Sequence, residues 1–124
     1  MKRLLILFFI IVMSYHCDAQ EFKREYNRLT IVIDKKATEH TSNTKVFVNY
    51  QNKNQILISS KEGRVLFKYK NNPRDISTKY GLAQEMIVSN NVGKLFRLTL
   101  FNDSLMGIIL NDGTVEINYH NIIY

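Results

Sequence analysis

"LFRLTLFNDSLMGIILNDGTVEINYH", residues 95–120, is the stretch on which the fold reading turns. Phe96, Leu98 and Leu100 alternate with Arg97 and Thr99, a period of two that suits a strand with one buried face. Asn102-Asp103-Ser104 then turns the chain, and residues 105–110 return it. Asp112-Gly113 suits a type I′ hairpin, the strongest turn signal in the sequence. Beyond it Val115, Ile117 and Tyr119 alternate with Thr114, Glu116, Asn118 and His120. Three runs joined by short turns predict antiparallel neighbours.

The same pattern extends upstream. Leu29, Ile31 and Ile33 alternate with Arg28, Thr30, Val32 and Asp34, and Val46, Val48 and Tyr50 with Lys45, Phe47 and Asn49. A short apolar run, Ile56, Leu57 and Ile58, precedes a tight turn at Lys61-Glu62-Gly63-Arg64. Val65, Phe67 and Tyr69 then share a face opposite Arg64, Leu66, Lys68 and Lys70. Residues 37–44 are polar and read as a loop. Pro73 and Gly81 mark a connection, with a turn or short helix near 75–82 and a strand at 84–89. The expected fold is all-β: an antiparallel up-and-down meander of seven or eight short strands, closed into a small barrel or folded into a two-sheet sandwich.

Residues 1–19 read differently. Lys2 and Arg3 precede an unbroken apolar run over 4–13, and the chain then turns polar. That is the layout of a secretory signal peptide, cut after Ala19. Ten apolar residues fall short of the roughly 20 that a membrane-crossing helix needs, so no transmembrane anchor is expected in the mature chain. The alternative makes Cys17 a lipid-bearing first residue, although bulky Tyr15 and His16 stand where small residues are usual. Residues 20–124 then form a single β-domain, secreted or periplasmic, or lipid-anchored through Cys17. With the cut after Ala19 the domain has no cysteine, which removes disulfides, thiol nucleophiles and cysteine metal sites.

Charge is uneven. Residues 20–124 keep 15 of 17 Lys and Arg and 10 of 11 Asp and Glu. Residues 45–79 hold eight basic residues against Glu62 and Asp75, a net of +6. Such a field attracts polyanions. Lys61, Arg64, Lys68 and Lys70, near the 61–64 turn, are the candidate binding residues. The expected partner is an anionic glycan, a lipid headgroup or an acidic protein surface. Nucleic acid is not expected: Tyr69 points away from its lysine neighbours, so no ring is offered for base stacking.

Catalytic motifs are lacking. The sequence has no G-x-S-x-G, no glycine-rich phosphate loop and no H-E-x-x-H. Glu116, Asn118 and His120 share one strand face, which offers two metal ligands and no third. Asp103 and Asp112 sit where turns favour aspartate. Asn102-Asp103-Ser104 also matches a glycosylation sequon. No cofactor, metal site or catalytic residue is assigned. The reading is an exported, non-enzymatic binding or structural β-domain of the cell envelope or extracellular space. Two alternatives remain: a small-molecule-binding barrel, or a hydrolase whose site would place His40 or His120 beside an acid and a hydroxyl.

Overall fold

The described residues form nine strands, most of them following the period-two alternation. They are β1 (Phe22–Ile33), β2 (Lys36–Val48), β3 (Gln55–Ser60), β4 (Gly63–Tyr69), β5 (Arg74–Thr78), β6 (Gly81–Ser89), β7 (Leu95–Phe101), β8 (Ile108–Asn111) and β9 (Val115–His120). The computed structural model describes residues 20–123; the signal peptide expected over 1–19, with Cys17, lies outside the described residues. Every strand pairing is antiparallel, in the order β4-β3-β2-β1-β9-β8-β7-β6-β5. A further pairing of β4 with β6, Lys68 opposite Ser89 and Tyr69 opposite Val88, closes eight strands into a barrel. The barrel, and not the sandwich, is therefore the architecture.

The ninth strand continues the path of β4 along β6. The Lys70 N–H donates to the Ile87 carbonyl at 2.8 Å, and the Asn71 side-chain oxygen accepts from the Ile87 N–H at 2.8 Å. Pro73, which has no N–H to give a ladder, falls in the break. Pairing resumes with Arg74 opposite Glu85 and ends with Thr78 opposite Gly81. Residues 75–82, expected as a turn or short helix, are thus most of a hairpin. Only Lys79 and Tyr80 form its turn, and β6 begins at Gly81 rather than at 84.

The loop expected over 37–44 is also strand. It is the outer half of β2, and with β1 it builds a hairpin of 12 and 13 residues, about twice the expected strand length. Alternation is missing there because most of this arm of β2 is exposed, so it did not need an apolar face. Partway along, Asn27 alone faces Ser42 and Asn43, a bulge between Tyr26–Thr44 and Arg28–Thr41. The bulge lets both Tyr26 and Leu29 point inward. Asn27 also exchanges hydrogen bonds with the chain beyond β9: its Nδ2 donates to the Ile122 carbonyl at 3.1 Å and its Oδ1 accepts from the Ile122 N–H at 3.0 Å.

The core fills the barrel. Val46, Ile56, Val88, Leu98 and Ile108 are fully buried, with Tyr26, Val48, Ile58, Phe67, Met86, Leu100 and Leu110 around them. Ile117, Tyr119, Phe96 and Tyr69 pack against that cluster. Phe67 and Phe96 meet edge-on at 5.5 Å between centroids. Burying one such aliphatic or aromatic side chain contributes about 1.5–3 kcal/mol.

The turns differ in detail from the expected ones. Asp112-Gly113 is not type I′, because only Gly113 has positive φ, and four residues separate the paired Asn111 and Glu116. The two-residue turn with both residues left-handed is Asp34-Lys35, at φ 50° and 65°. Lysine there carries the crowding between Cβ and carbonyl that glycine avoids. Lys35→Gly therefore raises stability by about 0.5 kcal/mol, checked as a higher urea midpoint with an unchanged slope. Gly107 behaves in the opposite sense. It sits at φ +72°, and a Cβ there would lie 1.8 Å from the Tyr119 carbonyl oxygen. Gly107→Ala costs roughly 3 kcal/mol or more, seen as a large loss of midpoint or as failure to fold.

Candidate functional site

Inward residues on β2 (Val46, Val48), β3 (Ile56, Ile58) and β4 (Phe67) belong to the core. Their alternates face outward: Lys45 and Phe47 on β2, Leu57 and Ser59 on β3, Arg64, Leu66 and Lys68 on β4. Lys45 pairs with Ser59, which pairs with Arg64. Two strand spacings, about 10 Å, separate the two cations on that row. Phe47, Leu57 and Leu66 form the next row, and Gln55 and Lys68 belong to the third.

Of the four candidates read from sequence, Arg64 and Lys68 therefore share one face. Lys61 stands at the β3–β4 turn and Lys70 just past the end of β4; all four are exposed. Lys45 joins Arg64, a neighbour that only the register reveals. No outward residue of β3 or β4 is acidic. Among the described residues, Lys45, Lys61, Arg64, Lys68 and Lys70 form no ion pair. Arg74, by contrast, is neutralised by Glu85 at 2.9 Å. Glu25, beside Lys45, is engaged by Lys23 at 3.5 Å.

A cleft of about 380 Å³ opens at the same end of the barrel, where the β1–β2 hairpin overhangs the β3–β4 turn. Leu29 and Ile31 line it from β1, His40, Thr41, Ser42 and Asn43 from β2, and Ser60, Lys61 and Glu62 from the turn. Burial pushes the Tyr119 hydroxyl above its usual pKa, and the Glu62 carboxylate pushes it further the same way. The acid of this turn therefore acts toward the barrel mouth, while Arg64 stays on the outer face.

The cleft brings His40, hydroxyls and Glu62 together, the grouping that a hydrolase would show. The contacts are of another kind. Ser60 donates to Glu62 at 3.5 Å, and Ser42 pairs with Thr44. His40 has no hydrogen bond to a described hydroxyl or acid, so no base is joined to a nucleophile. His120 is committed elsewhere: its Nε2 lies 2.8 Å from the Thr30 hydroxyl, on the outer face with Asn118 and Glu116. Among the described residues, no three His, Cys, Asp or Glu side chains converge as metal ligands would.

At the opposite end of the barrel, burial pushes the Tyr69 hydroxyl up to about 12, against its 2.8 Å hydrogen bond to Asn49. Asp103 and Asp112 act as turn formers. The Asp103 Oδ1 accepts from the Leu105 N–H, and the Asp112 Oδ1 from those of Thr114 and Val115. Asp112 also meets Lys94 at 2.8 Å. Lys94 first, then the Val115 and Thr114 N–H groups, hold its carboxyl well below the usual carboxylate range. A depressed folded pKa stabilises above the unfolded value, about 3.9, and that contribution is lost as pH falls through the folded one. Asp112→Asn therefore lowers the urea midpoint at pH 7 and leaves it unchanged in strong acid, where the wild-type carboxyl is itself protonated. No family model, curated protein or solved structure matches this chain.

Proposed function

We propose that this barrel is an exported, non-enzymatic binding domain that takes an acidic partner on the outer face of β2, β3 and β4. The observation that carries the reading is that, among the described residues, Lys45, Arg64 and Lys68 on this face, with Lys61 and Lys70 at its ends, form no ion pair. Four cations elsewhere, Lys23, Arg28, Arg74 and Lys94, have carboxylates within 4 Å, whereas β3 and β4 carry no outward acid. Unpaired like charges on one face repel one another, and a bound polyanion relieves that repulsion. The leader over 1–19 supports export, and export sets the domain among anionic glycans, lipid headgroups and acidic protein surfaces.

Cations on a solvated face attract through a screened field, whose range shrinks from about 10 Å at 0.1 M salt to about 3 Å at 1 M. The domain should stay on a sulfated-polysaccharide column at low salt and elute as salt rises. Replacing Lys61, Arg64, Lys68 and Lys70 together with glutamine should move elution to clearly lower salt, with the circular dichroism spectrum unchanged. Elution of that variant at the wild-type salt concentration would remove the proposal. The matched control replaces Lys23, Arg28, Arg74 and Lys94 with glutamine and should elute later than the first variant.

A further inference from the structure

The barrel is closed, yet one strand edge is left open. β3 pairs with β2 only from Lys45 downward, through Lys45–Ser59, Val46–Ile58, Phe47–Leu57 and Val48–Ile56. Above Lys45 the β3 side of β2 faces no described strand. The other side of this arm is fully paired with β1, from Arg28–Thr41 to Ile33–Lys36. β1 is in turn held by β9 over the same length. The arm is therefore rigid on one side and open on the other.

The turn fixes which backbone groups are free. A two-residue turn makes Ile33 and Lys36 a pair that exchanges hydrogen bonds. Alternation then makes Ile31–Thr38 and Leu29–His40 bonded pairs as well. The N–H and C=O groups of Ala37, Glu39 and Thr41 consequently point away from β1, toward the open side. No other backbone contact among the described residues takes them up. On the same arm His40, Thr41, Ser42 and Asn43 line the mouth cleft, together with Leu29 and Ile31 of β1.

We propose that this edge takes an extended acidic segment of a partner protein as an added strand. Backbone hydrogen bonds to Ala37, Glu39 and Thr41 hold the segment, and alternate side chains enter the cleft. The occupant is acidic because of the charges around the edge. Among the described residues, Lys35, Lys36, Lys45, Lys61 and Arg64 stand around it without ion pairs; against these five cations the free acids are Asp34 and Glu62, and Glu39 is engaged by Arg28 at 3.9 Å. An added strand collinear with β3 runs toward the row of Lys45 and Arg64, so its outward carboxylates meet cations. The inward positions meet Leu29 and Ile31 and favour small apolar side chains. This inference rests on the proposed binding of an acidic partner and specifies that partner as a strand-forming peptide rather than a glycan or lipid.

The test uses a capped eight-residue peptide of alternating valine and glutamate, titrated against the domain by calorimetry and by amide shifts. We expect shifts at the amides of Ala37, Glu39 and Thr41. A peptide N-methylated at alternate residues, and one with lysine for glutamate, should each bind at least tenfold more weakly. Thr41→Pro, which removes an edge N–H and none that β1 uses, should weaken peptide binding at least tenfold while column retention stays as in the wild type. Two results would overturn the inference and leave the broader proposal standing: equal binding of the N-methylated peptide, or shifts confined to Lys45, Arg64 and Lys68. A sulfated polysaccharide that shifts the edge amides as strongly as the peptide would overturn it too. Loss of both column retention and peptide binding in the wild type would remove the two proposals together.

Discussion

The pairing of β4 with β6 is the contact on which the remaining geometry depends. Only two residue pairs make it, Lys68–Ser89 and Tyr69–Val88, extended by the Lys70 and Asn71 contacts to Ile87. Without them the sheet would be an open nine-strand ribbon with free edges at β4 and β5, and its inner row of Val46, Ile56, Val88 and Leu98 would lose an enclosed interior. Closure at the lower end of β4 has a geometric consequence. The strand that leaves β3 must cross to β6 there, so the β3–β4 hairpin is short, at six and seven residues. The β1–β2 hairpin is about twice that length and cannot be matched along its height. The mouth cleft and the free edge of β2 both follow from that mismatch.

Closure also sorts the charges. A strand in a barrel presents every second side chain to the core, so a basic run in the chain becomes a basic face only where the register aligns it. Lys45 is distant in sequence from Arg64, yet a single intervening residue, Ser59, separates them across the sheet. Arg74 lies in the same basic stretch, but the continued path along β6 beyond Pro73 brings it beside Glu85 and neutralises it. Glu62 belongs to the same turn as Lys61, yet its charge is felt by Tyr119 at the mouth. What remains outward on β3 and β4 is cationic or neutral.

The legible parts of the sequence were those in which one face is buried. Leu98 and Leu100 alternate with Arg97 and Thr99, Val46 and Val48 follow the same period, and these residues, with Phe67, belong to the core. The turns at Lys61-Glu62, Asn102-Asp103-Ser104 and Asp112-Gly113 were marked by residues that favour turns. Residues 37–44 were not legible, because a strand exposed over most of its length needs no apolar alternation and is held by its partner β1. The hairpin of β5 and β6 was hidden by "TKYGLAQEMIV", whose spacing also suits a helix, and pairing with β7 decides for strand. Asp34-Lys35 gave no turn signal, since both residues adopt a conformation that neither prefers. Of the candidate site, the charge was visible in the sequence, while its grouping with Lys45 and the cleft beside it depend on register.

Core packing and the proposed binding edge fall on different parts of the same hairpin. Toward the lower end, β1 and β2 contribute Tyr26, Val46 and Val48 to the core, and Asn27 clamps the chain beyond β9. Toward the tip, Leu29 and Ile31 stand opposite Tyr119 and Ile117, so β9 fixes the arm from one side alone. The bulge at Asn27 makes the division possible. By changing which residues of β1 point inward, it lets Tyr26 fill the barrel while Leu29 and Ile31 still line the cleft. A strand held along one edge, with a cleft on its inner face, already has its conformational entropy removed. A segment that adds to such an edge loses only its own freedom, which is why a small number of backbone hydrogen bonds can suffice for recognition.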